Sequence, residues 1–175
     1  MPHVKKSAKR KICVCTGTRS EYGILRPVMR EIARSRRADL QVVAAGMHLA
    51  RRYGYTLDDI IADGFEISAR VPMLPRHDTP AAMAESVGRG IVGFSRAFDQ
   101  LDSNIVVVLG DRTEAFAAAA AAALSGRVLA HIHGGDRAEA GFDDFMRHAI
   151  TKLAHIHFAA TSESARRIVR LGERK

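Results

Sequence analysis

Three histidines and four carboxylates fall within eighteen residues of this chain, in the run H-I-H-G-G-D-R-A-E-A-G-F-D-D-F-M-R-H at positions 131–148. The acids are Asp136, Glu139, Asp143 and Asp144. Asp143 and Asp144 open a helical pattern whose apolar face is Met146, Ile150 and Leu153, so both carboxylates stand at the positive end of a helix, where the charged form is favoured. Burial or a neighbouring carboxylate would raise one of them, and two acids in one cleft can then divide into an acid and a base. His131 with His133, and His155 with His157, form H-x-H pairs that share a face if they lie on strands. Core or cleft histidines are the commoner use of such pairs, and a divalent metal held with Asp136 is the sharper one.

Two further segments carry chemistry-bearing residues. In L-G-D-R-T-E (109–114), Asp111 and Arg112 follow a strongly apolar run and precede a helical one. Asp111 is therefore either a helix cap or an acid/base group at a strand terminus. In T-G-T-R-S-E-Y-G (16–23), Gly17 and Gly23 permit close backbone approach, unpaired helix N–H groups face outward, and Arg19 adds a guanidinium suited to a diphosphate. This loop matches neither G-x-G-x-x-G nor a Walker A sequence, so an ordinary tight turn is an equal reading.

The elements that must position these residues alternate along the chain. Apolar runs at 12–16, 40–45, 65–71, 105–109, 128–132 and 157–160 read as strands, with 65–71 the weakest. Between them lie helices at 24–34, with Pro27 in its first turn, and at 57–62, capped by Thr56 and ended by Gly64. Asp78 and Thr79 offer a cap and Pro80 an early-turn residue for a helix to about 101, and further helices follow at 113–124, 143–154 and 162–171. Near-continuous apolar strands alternating with helices predict an α/β domain with a doubly wound parallel sheet, covered on both faces. Ligands of such sheets sit at the carboxyl ends of the strands, where all three segments fall.

Composition limits the function classes. A length of 175 residues with 47% hydrophobic residues suits one domain. No apolar run is long enough for a membrane span or a signal peptide, which predicts a cytoplasmic protein without a membrane partner. Cys13 and Cys15 lie on one face of one strand, as buried thiols rather than a disulfide. The net charge of +8 is concentrated toward the ends, in Lys5, Lys6, Lys9, Arg10 and Lys11 and in Arg166, Arg167, Arg170, Arg174 and Lys175. Without a recognisable nucleic-acid motif this reads as solvated ends or attraction of an anionic nucleotide, not as nucleic-acid binding. Residues 1–10 are expected to form a basic, flexible tail and 11–175 the domain.

Taken in order, TGTRSEYG (16–23), GMHL followed by YGYT (46–56), AMAESVG (82–88), VLGDR (108–112), HIHGGD (131–136) and FDD-x-x-RHAITKLAHIHF (142–158) resemble one family. It is that of the hydrolysing UDP-N-acetylglucosamine 2-epimerases of sialic and legionaminic acid biosynthesis, with relatives acting on UDP-diacetylbacillosamine. The resemblance implies a glycosyltransferase-B-like fold of two Rossmann-like halves, of which this chain carries the first. A missing C-terminal domain is then needed to complete the cleft, and the open sheet edge invites a homo-oligomer. Also implied are a UDP-sugar substrate, loss of UDP by elimination, and hydration of the glycal-like intermediate, with no metal or redox cofactor. Asp111, His133, Asp136, Asp143 and Asp144 become the catalytic set, and Arg19, Gly17, Gly23, His48, Arg112 and Arg147 the substrate-binding set. Where the animal-type and non-hydrolysing relatives carry a catalytic glutamate, this sequence has His133. Where the bacterial hydrolysing branch usually carries glutamate three residues later, it has the shorter Asp136. A sugar-nucleotide or partner-binding module without turnover, and a metal-dependent hydrolase, are the alternative functions.

Overall fold

A computed structural model describes residues 8–75, 77, 79–137 and 141–174. Six strands, β1 (Arg10–Thr16), β2 (Ala38–Ala45), β3 (Ala69–Val71), β4 (Ile105–Leu109), β5 (Val128–Ile132) and β6 (Ile156–Phe158), form one sheet in the order β3-β2-β1-β4-β5-β6. Every pairing is parallel, with Val14 beside both Val42 and Val107. The order reverses between β1 and β4, which puts the ligand crevice of a doubly wound sheet beyond the carboxyl ends of these two strands.

The helices are α1 (Arg19–Arg34), α2 (Leu57–Ala62), α3 (Pro80–Leu101), α4 (Thr113–Leu124), α5 (Phe142–Leu153) and α6 (Ser162–Arg170). Successive strand residues serve opposite faces. Cys13, Cys15, Val106 and Val108 pack with Phe94, Phe98 and the alanines of α4, whereas Val14, Val107 and Leu109 pack with Leu25, Met29 and Ile60. Both faces are therefore dry, which is why the strands read as unbroken apolar runs. Cys13 and Cys15 are free and buried, their sulfurs 3.9 Å apart. Ala117, Ala118, Ala119 and Ala122 are fully buried, so α4 lies flat between sheet and α3 with little side-chain bulk. Among the described residues no helix is long and apolar enough to cross a membrane.

Several expectations shift. Helix α1 begins at Arg19, so Pro27 stands in its middle rather than its first turn. The missing N–H falls opposite Gly23, and both residues lie on the exposed side, where the freed carbonyl is open to solvent. Strand β3 shrinks to three residues because the Ser68 hydroxyl accepts the Val42 N–H at 3.0 Å, replacing the ladder just before it. Thr79 caps α3 by accepting from the Ala82 N–H at 3.2 Å, while Asp78, the other expected cap, lies outside the described residues. Strand β1 starts at Arg10, inside the expected tail, and residues 1–7 lie outside the described residues.

Candidate active site

The first loop is folded around two buried carboxylates that sequence reasoning missed. Thr18 caps α1 in a reciprocal box with Glu21, whose Oε2 accepts the N–H groups of Gly17 at 2.8 Å and Thr18 at 3.1 Å. Burial raises Glu21 to about 7 against the opposing Gly17 N–H, and the nearby Glu114 pushes the same way as burial. A Cβ at Gly17 would come within 2.6 Å of Glu114 Cγ, and one at Gly46 (φ +53°) equally so. Gly17 is thus required by the close approach of the Glu114 side chain, and its N–H is already taken by Glu21. Gly23 lies within α1 with open space above it rather than in a ligand loop. The T-x-x-E spacing was the available signal for Glu21; nothing local marks Glu114 as buried.

Arg19 opens α1, 80% exposed and ion-paired with Asp59 at 3.6 Å. His48 does not reach the surface. Its Nε2 lies 3.0 Å from the Thr16 hydroxyl and its Nδ1 2.7 Å from the Thr56 hydroxyl. Burial, opposed by Thr18 and Asp59, lowers it to about 4. Both ring nitrogens of His48, expected among the substrate-binding residues, tie the strand β1 terminus to the residue preceding α2. The Thr56 side chain consequently makes no cap bond to that helix.

At the β4 terminus Arg112, not Asp111, occupies the cap position of α4. Asp111 is released from capping and its carboxylate pairs with Arg147 of α5. The pair is largely buried, at 11% exposure for Arg147 and 17% for Asp111. Arg147 also donates to the Asp136 carbonyl at 2.9 Å and to Asp144 at 3.1 Å, joining three of the expected acids, and burial lowers its own pKa. Arg112 reaches Met47 Sδ at 3.7 Å and lies 3.6 Å from Glu114.

Beyond β5 the chain makes a tight turn. His131, on the strand, is fully buried, with Nε2 donating to the Gly110 carbonyl at 2.7 Å and Nδ1 3.2 Å from the Thr151 hydroxyl. Burial takes it to about 4, against the Gly110 bond. His133 lies past the strand with φ +64°, so the two histidines do not continue a period of two. His133 Nδ1 is 2.7 Å from Asp136 Oδ2, and the Ser164 hydroxyl donates to Oδ1 at 2.6 Å. Partial burial works against the charge on Asp136, but Ser164, His133 and Arg167 outweigh it and hold its pKa below the ordinary carboxylate range.

Asp143 is exposed on the first turn of α5, beside Asp144, which lies 3.9 Å from His148. His155 accepts the Leu129 N–H while His157 faces Glu173, so the second H-x-H pair also has separate partners. Among the described residues no three His, Cys, Asp or Glu side chains gather as a ligand set for a metal ion. Glu139 lies outside the described residues. Four of the five expected acid/base residues, Asp111, His133, Asp136 and Asp144, are thus joined through Arg147 and the turn after β5, with Asp143 adjacent in sequence.

A parallel sheet in this order, with charged groups gathered at its carboxyl edge, defines a Rossmann-like domain built to hold a polar ligand in an edge crevice. The family model for UDP-N-acetylglucosamine 2-epimerase matches residues 30–175, and the chain belongs to that family. It is 40% identical over 166 residues to the Legionella pneumophila UDP-N,N'-diacetylbacillosamine 2-epimerase (hydrolyzing), covering 95% of this chain and 44% of that protein. It is 35% identical to the Campylobacter jejuni GDP/UDP-N,N'-diacetylbacillosamine 2-epimerase (hydrolyzing), covering 95% and 43%. The solved UDP-GlcNAc 2-epimerase from Neisseria meningitidis bound to UDP-GlcNAc has the same fold, with a TM-score of 0.83 at 21% identity over 94% of this chain and 43% of that one. The chain therefore spans less than half the length of the relatives it matches.

Proposed function

We propose that this chain is the sugar-facing part of a cytoplasmic hydrolysing UDP-sugar 2-epimerase, which converts a UDP-linked N-acetylated amino sugar and water into UDP and the free 2-epimeric sugar. The observation that carries this reading is the linkage of Asp111, Asp136 and Asp144 through Arg147 at one sheet edge, in a chain 40% identical to a hydrolysing epimerase. One acid/base group takes the C2 proton while the C1–O bond breaks and its electron pair leaves with UDP. Water then adds its hydroxyl to C1 of the resulting glycal, and a second group returns a proton to C2 from the opposite face. Asp143, exposed at the positive end of α5, is assigned to one face. Arg19 and the α1 amide groups left free by Glu21 meet the leaving diphosphate.

The engagement of Asp111 by Arg147 favours a second reading, a module that holds the sugar nucleotide without turning it over. UDP release separates them. The chain, alone and joined to a second domain of the family, is incubated with UDP-N-acetylglucosamine or its 2,4-diacetamido analogue. Turnover by the joined protein that is lost in Asp143→Asn supports the epimerase; binding without turnover in both forms leaves the holding module.

A further inference from the structure

We infer that Ser164, Asp136 and His133 form a positioning relay that presents His133 Nε2 to the crevice as a proton acceptor, with Asp136 and Ser164 acting through the histidine rather than on the sugar. The inference rests on the epimerase reading for the identity of the sugar, and on geometry for the relay.

Every donor in the chain of contacts points toward Asp136. A carboxylate only accepts, so the 2.7 Å contact from His133 must be an Nδ1–H. In the neutral ring, that assignment leaves the lone pair on Nε2. Ser164 spends its hydroxyl proton on the other carboxylate oxygen at 2.6 Å, and the Thr161 hydroxyl, 2.9 Å from Ser164 Oγ, is the donor that satisfies it in turn. Ser164 is buried on the first turn of α6, which Thr161 caps by accepting the Ser164 N–H at 3.0 Å. The base of the relay is therefore held by the helix itself.

The turn is built to keep the ring there. The His133 N–H is bound to the Phe158 carbonyl at 3.0 Å in a left-handed backbone that few non-glycine residues adopt. Gly135, also left-handed, packs so closely on α6 that a Cβ would sit 2.3 Å from the Ser164 carbonyl oxygen. Arg167, one turn further along α6, donates to the Gly135 carbonyl at 2.8 Å. Yet the His133 side chain remains 37% exposed. A histidine strained into position, with one nitrogen fixed by a carboxylate and the other left for a ligand, has the arrangement of an acid/base group whose tautomer is set by its neighbour.

The tautomer is directly observable. Long-range proton–nitrogen correlation on protein labelled at the histidine nitrogens, with His133 assigned from a His133→Gln sample, is expected to show protonated Nδ1 and unprotonated Nε2. In Asp136→Asn the amide can donate to Nδ1, and the tautomer is expected to reverse while the signals of buried His131 stay in place. Ser164→Ala, which removes one oxygen atom, keeps the relay testable if the asparagine variant does not fold; it is expected to broaden or mix the two tautomers. A wild-type ring protonated at Nε2, or a ring unchanged in both variants, overturns the relay. In the two-domain protein Asp136→Asn should lower kcat by roughly 10²-fold with KM retained. An intact tautomer without UDP release would condemn the epimerase reading alone, and turnover with unchanged kcat in Asp136→Asn would condemn the relay alone.

Discussion

Arg147 of α5 grips the carboxylate of Asp111, thirty-six positions earlier in the chain, and so fastens the carboxyl end of β4 to the helix that follows β5. Both partners are largely buried, so removing the cation leaves an uncompensated charge. Arg147→Met should cost about 3 kcal/mol in urea-induced unfolding. The double variant Arg147→Met with Asp111→Leu should lose clearly less than the two single losses together. Additive losses would show that the two side chains do not act as a pair.

Stability should depend on pH in a way that Glu21 partly masks. His48 and His131 fall from 6.5 to about 4 on folding, whereas Glu21 rises from 4.5 to about 7. Each histidine's contribution is fully present above pH 6.5 and is lost as pH falls toward 4, because only the unfolded chain takes up the proton. Glu21 has the opposite sign: its contribution is fully present below 4.5 and is lost as pH rises through 7. Between pH 5 and 6 unfolding should therefore take up about one proton net, and about two in Glu21→Gln. The carboxylates held low, Asp63, Asp136 and Glu173, add their acid loss mainly below that range. Urea titrations at stepped pH measure the slope; equal slopes in the two proteins would refute the assignment.

Two glycines with the same φ should differ sharply. Gly135 and Gly110 both have φ +74°, but only at Gly135 would a Cβ strike anything, the Ser164 carbonyl oxygen. Gly110→Ala should cost about 1 kcal/mol, from conformation alone. Gly135→Ala should cost about 3 kcal/mol, because a backbone oxygen cannot swing aside. Thermal or urea unfolding checks both, and similar losses would mean that α6 gives way.

The thiols offer a chemical test of the core. Cys13 and Cys15 are buried, and burial raises Cys15 well above its ordinary value. A disulfide reagent at pH 8 should label neither in the native protein and both after addition of urea. Fast labelling of the native chain would place β1 nearer the surface.

Much of the scaffold was legible because it rests on local pattern. The bounds of β4, α4 and β5 follow the apolar runs directly. The start of helix α1 is hidden in the sequence because its capping box lies inside what resembles a ligand loop. Strand β3 was read too long because no periodicity reveals that Ser68 will intercept the Val42 N–H. At the site, the residue types were legible and their partners were not. Asp111 and Arg147, or Asp136 and Ser164, meet only after strands and helices far apart in sequence are packed. His48 carried a motif position but no sign of its depth, and Glu114 gave none of its burial.

Glu21 has a last consequence. By occupying the Gly17 and Thr18 N–H groups it holds the loop with a carboxylate of its own helix. The loop is preorganised by a surrogate within its own helix, so on the proposed function a diphosphate arriving there would spend little of its affinity on ordering backbone. The same surrogate leaves fewer amides to offer, which under that proposal would shift the burden of recognition outward to the exposed guanidinium of Arg19.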